Sequence, residues 1–132
     1  MKRQHILYAI GILLLSEIFI FSACKKKSTE TVSNPSFTLS ATPDPNNAEN
    51  LVFYLDCTTD NVKMTRIDIK DPLNSGITPI DMQSANMLKG TIYELDESFT
   101  KELGTWTFTF TGNRISDNSA FVSTATLNVS GK

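Results

Sequence analysis

The sequence has almost no histidine, and this scarcity excludes several kinds of active site. Among its 132 residues the only histidine is His5, close to the basic N-terminus. The rest of the chain lacks the imidazole that Ser-His-Asp and Cys-His catalytic groups require and that many zinc and copper sites use as a ligand. This excludes those catalytic groups and histidine-ligated metal sites. Because the sequence also offers no other clear catalytic group, we predict that the protein is not an enzyme and has no catalytic residues, no metal and no cofactor.

Positive charge is scarce beyond the N-terminal region. Residues 28–132 contain 7 Lys and Arg against 13 Asp and Glu, a net charge of about −6, whereas the whole chain carries −2. Proteins that bind nucleic acid usually present a basic patch or stripe to the phosphates. The acidic balance therefore argues against a nucleic-acid partner.

The N-terminal region has the order of a secretory signal. Met1-Lys2-Arg3 precedes an apolar run over 6–21, then Ser22-Ala23-Cys24 and three lysines. Positive, apolar and small residues in this order are typical of a cleaved signal peptide. The run is short of the roughly 20 residues that span a bilayer, and Glu17 lies inside it. An uncleaved membrane helix and plain secretion are the alternatives.

The residues around Cys24 indicate how the protein is held. Phe21-Ser22-Ala23-Cys24 resembles a bacterial lipobox, although Phe21 stands where that family usually has a smaller aliphatic residue. The resemblance implies cleavage after residue 23, a lipid on Cys24, and a cell-envelope protein anchored to a bacterial membrane. We expect the outer membrane, with the domain in the periplasm or at the cell surface. The predicted segments are a signal peptide (1–23), a lipidated cysteine and flexible tether (24–35), and one folded domain (36–132).

Cysteine is the second scarce residue type. The chain has two cysteines, Cys24 and Cys57. If lipid occupies the first thiol, Cys57 has no intramolecular partner for a disulfide. A lone thiol in an oxidising compartment is usually a small buried hydrophobe, and we predict this for Cys57. A reactive thiol is the alternative.

From residue 36 onward, apolar residues recur at every second position, which predicts strands. The clearest example is 105–111, where Trp106, Phe108 and Phe110 face inward and threonines face outward. In the third strand the parity of the apolar residues changes, which predicts a bulge near Thr65. Pro79 places the strand at 77–82 on a sheet edge.

Two further expectations concern 87–103. We predict a strand over 87–95, with Leu88 and Ile92 facing inward. Phe99 and Leu103 are four residues apart and Gly104 follows them. This spacing predicts one or two helical turns over 96–103.

The stretch Glu102-Leu103-Gly104-Thr105-Trp106-Thr107-Phe108 resembles the entry to the sixth strand of immunoglobulin-like domains. Trp106 stands where that family has a corner tyrosine, and Phe108 where it has a cysteine. The resemblance implies an all-β, seven-stranded, two-sheet immunoglobulin-like sandwich, with one short helical turn before the sixth strand. A fibronectin-type-III-like variant is equally compatible.

Two groups of residues are candidate sites. Asn113, Arg114, Ile115 and Asp117 form a candidate contact loop, for which a simple hairpin connection is the alternative. Asp44, Glu49, Asp96 and Glu97 are predicted in acidic loops at the end of the domain far from the membrane. The oxygens of the loop over 44–49 also suit calcium, although ordinary turn chemistry explains them better.

These residues indicate a binding or structural role. We expect a non-catalytic accessory module of the cell envelope, held to the membrane through Cys24 and binding a protein partner. The alternative is a carbohydrate-binding module, in which Tyr54 and Tyr93 would stack on sugar rings.

Overall fold

A computed structural model of the protein describes residues 33–131, which form seven β-strands. The predicted signal peptide, Cys24 and the tether as far as residue 32 lie outside the described residues. The strands in chain order are β1 (Phe37–Asp44), β2 (Asn47–Cys57), β3 (Val62–Lys70), β4 (Ile77–Met87), β5 (Ile92–Thr100), β6 (Gly104–Arg114) and β7 (Ala120–Val129).

The strands form two antiparallel sheets that contribute to one hydrophobic core. One sheet has the order β1-β2-β5, and the other has the order β4-β3-β6-β7. The all-β prediction with seven strands in two sheets is therefore confirmed, and the arrangement is sandwich-like.

The short helical turn predicted over 96–103 does not form, and no residue between 33 and 131 is helical. Strand β5 continues to Thr100, and Phe99 pairs with Leu51 of β2. The ring of Phe99 lies 5.5 Å from that of Phe53 and 6.0 Å from that of Trp106. The extended chain gives Phe99 these aromatic contacts, whereas Leu103 stays exposed. Core packing therefore overrides the helical spacing of Phe99 and Leu103.

Aromatic rings from both sheets fill the core. Trp106, Phe108 and Phe110 of β6 are buried as predicted, and Phe53 of β2 packs against the first two at 4.9 and 5.0 Å between ring centroids. Phe37 of β1 stacks on Phe110 at 4.1 Å. Aromatic pairs in such geometries stabilise a core beyond the area that they bury.

The predicted bulge in β3 is confirmed. The register with both neighbouring strands shifts between Met64 and Arg66, and the hydroxyl of Thr65 donates to the carbonyl oxygen of Thr111. At this place β6 comes very close to β3. A Cβ atom on Gly112 would lie 2.4 Å from the carbonyl oxygen of Lys63, so the bulge requires glycine there.

The prediction that Leu88 and Ile92 face inward is wrong, because β4 extends beyond residue 82 to Met87. Met87 is buried, whereas Leu88 and Ile92 are 53% and 70% exposed. The turn between them is closed by a hydrogen bond from the N–H of Thr91 to the carbonyl oxygen of Leu88. Gly90 in this turn has a φ of 74°, and its N–H donates to the carbonyl oxygen of Cys57 at the end of β2. The edge position predicted for this strand from Pro79 is confirmed.

The connections alternate between two ends of the strands. One end, called the hairpin end after the short hairpin between β1 and β2, holds the connections at 45–46, 71–76 and 101–103. The other end, called the arginine end after Arg114, holds the connections at 58–61, 88–91 and 115–119. The N–H of Lys101 donates to the carbonyl oxygen of Glu49 at 2.8 Å, which joins two of the hairpin-end connections. Residues 34–36 lie at the arginine end, where Pro35 is buried and accepts a hydrogen bond from the Ser123 hydroxyl.

Candidate interaction surfaces

The predicted contact loop begins with an ion pair. Arg114, the last residue of β6, places Nη1 3.0 Å from Oδ1 of Asp60, and the two side chains are 10% and 21% exposed. The other carboxylate oxygen of Asp60 accepts a hydrogen bond from Thr59, whose hydroxyl oxygen accepts one from the N–H of Ser36. Arg114 therefore fastens the strands together at this end and presents little charge to a partner.

Hydrogen bonds also fix the remaining residues of this loop. The N–H of Ile115 donates to the carbonyl oxygen of Asn61, and the side-chain amide of Asn113 donates to the carbonyl oxygen of Asn118. Hydrogen bonds from the hydroxyl and the N–H of Ser119 lower the pKa of Asp117. Ile115, at 47% exposure, is the one apolar group that the loop offers to solvent.

The four predicted acidic residues do not gather in loops at one end. Asp44 closes β1 and accepts the N–H of Asn46, and Glu49 lies in β2 with its N–H bonded to the side chain of Asn47. Asp96 and Glu97 lie within β5, where the register with β2 shifts, and both are exposed. The prediction that Asp96 and Glu97 lie in a loop is therefore wrong. It depended on a helical turn over 96–103, whereas residues 96–100 belong to strand β5.

The residues considered for metal or sugar binding have other partners. Asn46 and Asn47 form turn hydrogen bonds, and residues 33–131 contain no group of three or more His, Cys, Asp or Glu able to hold a metal ion. The hydroxyl oxygen of Tyr93 accepts the N–H of Leu88 at 2.7 Å, and its ring packs against the core. Tyr54 lies half-buried, between Ser40 and Glu94.

Cys57 is buried, as predicted. Burial raises the pKa of its thiol, and the charges of Asp60 and Asp56 act in the same direction. A protonated, buried thiol is a poor nucleophile. One oxygen of Asp56 is itself buried without a hydrogen-bond partner among the described residues.

One crevice was not predicted from the sequence. It has a volume of about 430 Å³ and lies at the hairpin end, between the end of β1 and the end of β7. Its apolar lining includes Ala41, Leu51, Leu127 and Val129, and Lys101 lies at its margin. No local pattern indicates such a crevice, because it depends on the gap between two strands of different sheets.

A smaller cavity of about 300 Å³ lies between the 71–76 connection and the rings of Phe99 and Trp106. Asp71 in its wall accepts hydrogen bonds from the hydroxyl and the N–H of Ser75, which lower the pKa of Asp71. Large apolar side chains are exposed at both ends of the sheets and on β7: Leu73, Ile77, Leu88, Ile92, Leu103, Ile115 and Val122.

In the part of the chain with described structure, no helix has the length and apolar character needed to cross a membrane. Comparison of the chain with protein-family models, with curated proteins and with solved structures finds no match in any of the three.

Proposed function

We propose that this protein is a bacterial cell-envelope lipoprotein whose folded part acts as a non-catalytic binding or structural accessory domain. The observation that carries the proposal is the sequence Phe21-Ser22-Ala23-Cys24, followed after a short polar stretch by a folded unit. A secretory signal that ends in a cysteine, next to a domain, is the arrangement of an anchored module.

The chemistry of the anchor favours firm attachment. Each buried methylene of an acyl chain contributes roughly 0.8 kcal/mol, so two or three chains on Cys24 hold the protein where one alone binds reversibly. Lys25, Lys26 and Lys27 add attraction to anionic headgroups of roughly 1 kcal/mol each. Asn34 and Pro35 are bonded to β7, so the tether before them is residues 25–33, which extend at most about 32 Å and keep the domain close to its membrane.

We infer an immunoglobulin-like sandwich from the strand order. In the constant-type arrangement the fourth strand belongs to the sheet of the first two, whereas β4 pairs with β3 here. This placement favours the fibronectin-type-III-like variant. Trp106 supports the same family, because its indole N–H donates to the carbonyl oxygen of Glu102, four residues upstream. The corner tyrosine of such domains makes a comparable bond to the upstream backbone.

A binding or structural role is supported by what the domain presents to solvent. Residues 33–131 include no histidine, and their exposed large side chains are aliphatic. Aliphatic groups suit a protein partner better than a sugar, because sugar rings stack on exposed aromatic side chains. Every aromatic side chain in this part is buried or half-buried, so no observation favours the carbohydrate-binding alternative.

Intact mass and membrane fractionation test the anchor. We expect the mature protein to begin at Cys24 with acyl mass on that residue, and to stay with the membrane at high salt. Cys24→Ser should lose both the acyl mass and the membrane association, whereas Cys57→Ala, the matched control, should keep them. A mature N-terminus elsewhere without lipid, or a Cys24→Ser protein that stays on the membrane after cleavage, would contradict the proposal.

A further inference from the structure

The two sheets have four edge strands, and three of them carry features that discourage pairing with another chain. Strand β1 contains Pro43 and a register shift at its end, and β4 contains Pro79 and a second irregularity, with positive φ at Gln83 and Ser84. Strand β5 combines a register shift with three exposed acids: Glu94, Asp96 and Glu97. Prolines, bulges and charges are the devices by which proteins protect sheet edges.

Strand β7 has none of these features. Its ten residues include no charge and no proline, and its register with β6 is continuous from Ala120 to Val129. It is the last strand of its sheet, so among the described residues no strand is hydrogen-bonded to its outer side, although β1 of the other sheet passes close to it. A long, regular, neutral edge is a template for adding another strand.

The hydrogen bonds show which backbone groups point outward. The carbonyl oxygen of Ser119 accepts a hydrogen bond from the N–H of Arg114 in β6. The backbone N–H and C=O groups of odd-numbered residues of β7 therefore point toward β6, and those of even-numbered residues point away from it. On the other side, the amide of Asn34 donates to the carbonyl oxygen of Val122. The backbone groups of Thr124, Thr126 and Asn128 therefore point out of the sheet edge. Asn34 and Pro35 cover only the beginning of the strand, at Val122 and Ser123, and the open part runs over 124–129.

The side chains of the open part suit a second copy of the same strand. Thr124 and Thr126 lie on the outer face, opposite Thr109 and Thr107 of β6, and none of these residues is charged. The described domain is strongly acidic, and pairing two β5 edges would bring Glu94, Asp96 and Glu97 of two copies together. Like charges opposite each other destabilise a strand pair. Pairing through β7 avoids this repulsion.

We propose that the protein forms a two-fold symmetric dimer in which β7 pairs antiparallel with β7 of a second copy. Thr126 is the middle one of the three residues whose backbone groups point outward, so it lies opposite Thr126 of the second copy, with Thr124 opposite Asn128 and Ala125 opposite Leu127. The two four-stranded sheets join into one continuous sheet, and each copy presents the same surface to the other. The incoming strand also runs beside the crevice lined by Leu127 and Val129, so its inward side chains cover apolar surface.

Disulfide cross-linking of the full-length chain in detergent tests the register. In this arrangement Thr126→Cys places two thiols on directly opposite residues, whose Cα atoms lie about 5.5 Å apart in a hydrogen-bonded pair, within the range of a disulfide. We expect a disulfide-linked dimer under mild oxidation. The wild type, with Cys24 and Cys57, sets the baseline, and Ser98→Cys on the β5 edge is the matched control. Equal cross-linking of the two variants, or none for Thr126→Cys, would overturn the proposal.

A second change tests the edge itself. Thr124→Pro in the Thr126→Cys chain removes an outward N–H without removing a bond to β6. We expect the cross-linked yield to fall about tenfold or more, because each copy loses an interstrand hydrogen bond. Thr124→Val keeps the N–H and should cross-link as before. If Thr124→Pro loses the native tryptophan emission, Thr124→Lys replaces it and should lower the yield through charge. Unchanged yield in a folded variant, or cross-linking mainly to another protein, would show that β7 does not pair with itself.

Discussion

Gly112 lies so close to Lys63 that a Cβ atom on the glycine would be 2.4 Å from the lysine carbonyl oxygen. This approach lies at the bulge of β3, in the middle of the four-stranded sheet. Gly112→Ala should therefore separate β3 from β6 and cost more than about 2 kcal/mol, toward the upper range for overpacking. Gly90→Ala is the control, because that Cβ meets nothing within 4 Å and only the positive φ is unfavourable. Urea unfolding would compare the two, and equal losses would contradict the close approach.

Trp106 should contribute strongly to stability. It is 2% exposed and contacts the rings of Phe53 and Phe99. We expect Trp106→Ala to cost roughly 3–5 kcal/mol and Trp106→Phe clearly less, since phenylalanine refills most of the space. The chain has a single tryptophan, so its fluorescence reports on this site. Emission of the native protein should be blue-shifted and resistant to quenching, whereas emission typical of exposed tryptophan would contradict the burial.

The two ion pairs found among residues 33–131 should differ in their contribution to stability. Arg114 and Asp60 are mostly buried, whereas the Arg66 side chain, paired with Asp68, is 56% exposed. Arg114→Ala should cost about 1–3 kcal/mol because it leaves Asp60 without its charged partner. Arg66→Ala should change stability by less than about 1 kcal/mol. A double-mutant cycle with Asp60→Asn measures the coupling of the first pair, and a coupling near zero would show that this pair does not fasten the arginine end.

Two exposed carboxylates should titrate below their ordinary range. Hydrogen bonds from Ser119 lower the pKa of Asp117, and those from Ser75 lower the pKa of Asp71. A carboxylate whose pKa is lower in the folded state adds stability above its unfolded pKa, and this contribution is lost as the pH falls through the folded pKa. Ser119→Ala should raise the pKa of Asp117 and leave that of Asp71 unchanged, and Ser75→Ala should do the reverse. NMR titration of the carboxyl carbons measures both values, and no change in either variant would contradict this assignment.

Cys57 should react with a thiol reagent only after unfolding. The residue is fully buried and burial raises the pKa of its thiol, so little thiolate forms near neutral pH. Ser98→Cys, on an exposed edge strand, provides a fast-reacting reference in the same protein. Cys57→Ala should cost about 1 kcal/mol or somewhat more without loss of fold. Labelling of native Cys57 at a rate close to that of the reference would place the thiol at the surface.

The sequence predicts best where one periodic pattern agrees with the packing. The alternation of Trp106, Phe108 and Phe110 gives the inward face of β6 correctly, and the change of parity in β3 gives the bulge at Thr65. The failures lie between Met87 and Leu103. There, Leu88 and Leu103 are exposed in connections, although each lies four residues from another apolar residue, Ile92 and Phe99 respectively.

Long-range contacts explain these failures. Phe99 is held in a strand by rings that come from β2 and β6, which a local window does not contain. The same reason applies to the surfaces. The pairing of Arg114 with Asp60 spans 54 residues, and the crevice beside β7 depends on how two sheets meet, so neither has a local signature.

The direction of the first and last strands has a mechanical consequence. Residues 34–36 lie at the arginine end, and β7 finishes at the hairpin end, so a pull between these points is directed along the strands. Such a load slides β7 along β6, and the continuous register from Gly104 to Asn113 makes the bonds of that ladder share the force at once. A load that instead pulled β6 and β7 away from each other at the arginine end would break the same bonds one after another. The domain should therefore resist tension along its length better than tension across one end.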